Sequence, residues 1–272
     1  EAMETEDTLQ PQEPKQEIEE LSHTDKIVGV ISEPSNLFSK LVFFPTKATD
    51  WILPLLALII VAIISTFIYM SNPEIKYEMQ QQQEKAMREQ FDKMVESGQM
   101  TREQADQQME QSAQFVNNPM FLYLIPSISV FIIMFLWFFV LTTLAFLIAK
   151  FALKGDGTYS QAMTAMGLPL YISVLGSIIL VIVGMLMGKM LTGLNPASLT
   201  GMDLKTLPGF LLSRLDLFTI WFYIVVGIAF AKMFKSDNVK KYVITSFAVW
   251  LIFMFIIFGL VQAVPQLGGM LR

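Results

Sequence analysis

Five apolar blocks constrain this chain more than any other feature: 51–70, 121–149, 167–188, about 210–233 and 242–264. A helix needs about 20 apolar residues to cross a hydrocarbon core about 30 Å thick. Each block meets that length. Backbone polar groups find no water at such depth, so the spans must be helices that satisfy their own hydrogen bonds. The fold class that follows is an all-α integral membrane protein. It is a bundle of five transmembrane helices, with an N-terminal interfacial helix and a polar helical hairpin between spans 1 and 2. Composition agrees: 16% of residues are charged, against about a quarter in soluble domains.

The remaining segments divide by character. Residues 1–25 hold nine acids and a single base, Lys15. They carry too little apolar surface to offset chain entropy, and read as a disordered acidic cytoplasmic tail. Residues 26–50 form an interfacial amphipathic segment. Ile27, Val30 and Ile31 make one apolar stripe, and Leu37, Phe38, Leu41 and Val42 make a second beyond Pro34. Lys40 and Lys47 would face headgroups. The five-span membrane domain covers 51–264, and 265–272 is a C-terminal tail.

The polar insert 73–118 reads as a helical hairpin. Met87, Phe91, Met94 and Val95 recur at helical spacing, as do Ala105, Met109, Ala113 and Val116. Ser97-Gly98 ends the first helix, and Thr101 to Gln104 offers a capping box for the second. Met87, Phe91, Met94 and Met109 are the expected hairpin seam. Short loops set orientation. Lys150, Lys154, Lys232, Lys235, Lys240 and Lys241 outnumber Lys189, Lys205, Arg214 and Arg272 on the other side. The N-terminus is therefore expected in the cytoplasm, with the C-terminus and the hairpin outside.

Charge near a span is a default pointer to function. SRLDLFTIW places Arg214 and Asp216 at the front of the fourth block. Two residues apart on a helix, they face different ways. Arg214 should reach headgroups, and Asp216 should look inward to a donor on another helix, with Lys189 at the same level the best candidate. The plainer expectation is a helix-start acid favoured by the dipole. Gly176, Gly184 and Gly188 mark the third span, and Gly184 to Gly188 is a G-x-x-x-G that allows close helix packing. Pro54 and Pro169 fall in expected first turns.

Catalytic chemistry has little support. There is no cysteine, the single histidine, His23, falls in the tail, and paired carboxylates are absent from the spans. No catalytic residues, metal site or cofactor are expected, and no face concentrates bases with aromatics for nucleic acid. KGDGTYSQAM lacks the ending of a phosphate loop and reads as a turn with a helix cap.

Three stretches taken together, IVGVISEPSNLFSKL leading into DWILPLLAL, then GDGTYSQAMTAMGLPLY, then RLDLFTIWFYIVVGIAFAKMF, resemble the Yip domain family. Their order and spacing match over roughly 26–264, and the hairpin resembles the insertion of many bacterial members. The resemblance implies a polytopic membrane protein of about five spans with a cytosolic N-terminus. In eukaryotic members it implies Golgi and ER trafficking with Rab GTPases. Their cytosolic region is not recognisable here, so that role is not carried over. The expected function is a non-enzymatic membrane organiser or scaffold in a bacterial cytoplasmic membrane. Its expected partners are membrane lipids, proteins engaged through the hairpin or tail, and a second copy in a homo-oligomer. The rival expectation is a small transporter, channel or lipid-moving protein with a polar cavity at Asp216.

Overall fold

The structure, a computed structural model, describes residues 20–116 and 120–264. Expectations for residues 1–19, for 117–118 of the hairpin and for the tail 265–272 lie outside them. All regular secondary structure among the described residues is helical, with no strand. Four helical segments are long and apolar enough to cross a membrane, or five if a bent pair counts as one.

Two short helices open the fold. Helix α1 (His23–Ser32) starts from a Ser22–Asp25 capping box, and α2 (Pro34–Leu41) begins at Pro34, whose fixed φ suits a first turn. Their apolar stripes do not only lie against a membrane surface. Val30, Leu37, Phe38 and Leu41 are buried in the main core with Leu55, Ile59, Leu168, Ile172 and Val225. The pair is seated against the bundle, with α2 packed on the later helix Leu217–Met233.

Helix α3 (Thr49–Ser71) is the first span. It begins earlier than expected, so Pro54 lies one and a half turns inside. Asn72 closes it and caps α4 (Pro73–Glu96), with Pro73 at its first position. Helix α5 (Arg102–Val116) packs on α4 to complete the hairpin. A π-helical turn, Met120–Leu124, leads into α6 (Ile125–Leu147), and another, Ile148–Ala152, closes it. Helix α7 (Tyr159–Gly167) starts from a Thr158–Gln161 capping box and runs into α8 (Leu170–Met187). Together they span Tyr159–Met187, so the third block begins before residue 167. The loop after α8 holds α9 (Pro196–Thr200).

The fourth block is not one helix over 210–233. It is α10 (Leu207–Ser213) and α11 (Leu217–Met233), bent by 60° at Arg214–Asp216. Helix α12 (Val239–Ala263) returns against α11. Between membrane helices there is little hydrophobic drive, so close approach matters most. Gly227 on α11 supplies it: a Cβ there would lie 2.5 Å from the Val243 backbone of α12.

Candidate functional site: two polar junctions at opposite ends of the bundle

The first junction ties α1 to α3. Lys26 lies four residues before Val30 and therefore shares its buried face. Its Nζ donates to Asp50 Oδ1 at 2.7 Å, and the two side chains are 5% and 2% exposed. Asp50 also accepts from the Lys47 amide in the turn that begins α3. Beside this pair, His23 Nε2 lies 2.7 Å from the Tyr171 hydroxyl of α8. His23 therefore belongs to the folded part rather than to a solvated tail. Burial lowers its pKa, outweighing the opposing pull of Asp50. At the rim, Lys47 Nζ sits 2.6 Å from Glu20 Oε1 in an exposed pair. That pair holds Glu20 below its ordinary range and Lys47 above its own.

The second junction is the break in the fourth block. Asp216 leaves helical geometry at φ −92° and ψ 122°. Its Oδ1 accepts the Thr219 amide at 2.8 Å, capping α11, and its Oδ2 accepts the Leu194 amide at 2.7 Å from the loop after α8. A carboxylate here satisfies two orphan amides and faces the positive end of the helix dipole. The expected Lys189 partner is not used: Lys189 is exposed and forms no ion pair with Asp216 among the described residues. Arg214 does not simply extend to headgroups either. It is half-buried, donates to Ser213 Oγ and Met254 Sδ, and stands 5.0 Å from the Phe210 ring centre. The chemistry of this junction is structural: it ends one helix, starts another and pins a loop.

The three marked glycines separate. A Cβ at Gly176 would lie 2.7 Å from the Phe218 ring, and one at Gly184 would lie 2.5 Å from the Tyr69 hydroxyl. Both permit close contacts within the chain. Gly188 does not join that face. It closes α8 at φ 63°, a left-handed position that glycine takes without strain. In the hairpin, Met87, Phe91, Met94 and Met109 are half-buried and Ala105 is buried. The Thr101 and Gln104 side chains cap α5 reciprocally. The side chains of Ala113 and Val116 lie outside the described residues. Among the described residues, no group of three or more His, Cys, Asp or Glu could hold a metal.

A sequence model of the Yip1 domain matches residues 28–260, most of the chain. The chain belongs to the Yip1 domain family. No curated protein and no solved structure gave a match. In this Yip1 domain protein the matched region takes in Asp50 and Asp216 and runs from within α1 nearly to the end of α12. Lys26 and His23 lie just before it. Sequence reasoning set His23 aside in the tail and did not mark Lys26, although Lys26 stands on an apolar stripe and Asp50 opens a span, two positions where charge needs a partner.

Proposed function

We propose that this Yip1 domain protein is a non-enzymatic organiser of a bacterial cytoplasmic membrane, with five spans, a cytosolic N-terminus and an external C-terminus. It would hold lipid or protein partners at two platforms, the α1–α2 pair inside and the α4–α5 hairpin outside.

The observation that carries this is the seating of α1–α2. The buried Lys26–Asp50 pair fixes them to the bundle, while Val28 and Phe43 stay 58% and 73% exposed. Exposed Lys40 and Lys47 flank those apolar side chains, a pattern suited to a headgroup layer. The same end carries the lysine-rich loops, in keeping with the positive-inside rule. Self-association would have to use a surface other than the Gly176–Gly184 face, which is occupied within the chain.

The rival, a polar transport cavity at Asp216, has less support, because both carboxylate oxygens already accept backbone amides. Replacing Phe91 and Met94 with Ser should unfold the hairpin and abolish the partners recovered by crosslinking in intact cells. An unchanged set of partners would count against the organiser. For the rival, Asp216→Asn should alter flux in liposomes.

A further inference from the structure

A cleft of about 290 Å³ runs between α6 on one wall and α11 and α12 on the other. Trp137, Leu141 and Ala145 line one side, and Val226, Val249 and Phe253 the other. It opens sideways between the helices: Trp137 and Leu144, on its rim, are 38% and 40% exposed. At one end the Trp137 and Phe253 rings meet edge to face with centroids 5.6 Å apart. At the other end stands Tyr242. Tyr242 to Phe253 is eleven residues of α12, about 16 Å of helix. That is roughly the depth of one leaflet of a hydrocarbon core about 30 Å thick.

The Tyr242 end is the lysine-rich one. Loops 150–158 and 232–241 bring six lysines against two aspartates there. Asp156 is shared between Lys150 at 4.0 Å and Lys235 at 3.4 Å. Lys154, Lys240 and Lys241 are exposed and in no ion pair among the described residues. The Tyr242 hydroxyl is buried at this end, with Ser236 beside it. It is held where Gly155 leaves room for it. Apolar walls one leaflet deep, open to the side and topped by cations, match an amphiphile with an acyl chain and a negative head.

We propose that this cleft holds one acyl chain of an anionic glycerophospholipid from the lysine-side leaflet, with its headgroup among Lys154, Lys240 and Lys241. The lining is overwhelmingly apolar, and empty apolar space of this size readily takes a hydrocarbon guest. The lysines choose the headgroup, since each cation near an anionic lipid surface contributes about 1 kcal/mol, roughly fivefold in affinity. This deepens the organiser reading and rests on its lipid-binding branch.

The full chain would be reconstituted in phosphatidylcholine vesicles with and without phosphatidylglycerol, then re-extracted in mild detergent and its retained lipid counted by mass spectrometry. One phosphatidylglycerol per chain should be retained in preference to phosphatidylcholine. Leu141→Trp should fill the cleft and abolish that retention. Lys240→Gln with Lys241→Gln should erase the headgroup preference by roughly fivefold per lysine. Equal retention of both lipids by the wild-type chain, or full retention by a folded Leu141→Trp variant, would overturn the proposal. Should Leu141→Trp not fold, a phosphatidylglycerol with a photoreactive acyl chain serves on the wild type. Adducts should fall on the facing sides of α6 and α12, and adducts spread evenly over the bundle's outer surface would overturn it. The lipid is read on purified protein and the organiser by crosslinking in cells, so either can fail alone.

Discussion

Lys26 Nζ and Asp50 Oδ1 meet at 2.7 Å with both side chains almost wholly out of solvent. A buried pair of this kind adds little net stability over a well-packed apolar pair, but losing one partner strands a charge, at about 3–5 kcal/mol. Lys26→Met should therefore lower stability by about that much, or release α1 from the bundle. Lys26→Met combined with Asp50→Leu should recover most of the loss. Unfolding of purified protein in graded denaturing detergent measures both. Additive losses in the double variant would contradict a direct pairing.

His23 gives the same docking a pH dependence. Burial lowers its pKa in the folded state below the ordinary 6.5. The undocked helix then binds more protons, so docking stability is full above about 6.5 and declines as pH falls through that value. Asp50 opposes this shift, Lys26 reinforces it, and the Tyr171 hydroxyl is the direct contact. Amide protection in α1, taken relative to the intrinsic exchange rate at each pH, should fall on acidification. His23→Gln should flatten that response.

Asp216→Ala removes a helix cap and a loop tether together. A cap contributes about 1 kcal/mol, and a hydrogen bond to a charged group about 1.5–3 kcal/mol. A loss of about 2.5–4 kcal/mol is expected from the two contacts, with Asp216→Asn milder because an acceptor oxygen remains. Thermal unfolding in detergent reads the difference. No change in either variant would mean that the break between α10 and α11 is held by something else.

Two glycines make opposite predictions. At Gly227 a Cβ would be driven against the Val243 backbone, whereas at Gly259 nothing lies within 4 Å. Gly227→Ala should cost about 1–3 kcal/mol by forcing α11 from α12. Gly259→Ala should gain about 0.5–1 kcal/mol from helix propensity. The same unfolding assay compares them side by side.

Much of the architecture is legible in the sequence, because long apolar blocks have few options in a bilayer. The polar insert is legible too, through its stop at Ser97-Gly98 and its cap at Thr101. The break at Arg214–Asp216 is harder to see. Leu215, Leu217 and Phe218 carry the apolar run straight through it, and only the capping habit of an aspartate before such a run hints at a new start. The partners of Asp216 are the Thr219 and Leu194 backbone amides, and backbone groups are invisible to any search for complementary side chains. The Lys26–Asp50 contact depends on how α1 folds back on α3, which no periodicity encodes. Gly188 is misread for a different reason: its spacing from Gly184 suits a packing face, but it also stands where a helix must stop.

The joint at Asn72 has a mechanical consequence. The hairpin does not hang from a tether. The Asn72 side chain accepts the Glu74 and Ile75 amides. Ile75 is fully buried, in a cluster with Tyr69 and Val181 that partly buried Met79 and Met185 border. Helices α3 and α4 thus meet with one residue between them and no slack. Each is about 35 Å long, from 23 and 24 residues at about 1.5 Å each, and the chain turns between them at Asn72, φ −87° and ψ 116°. A load applied to the hairpin should therefore reach α3 directly, and α3 holds at its other end Asp50 and its contact with α1.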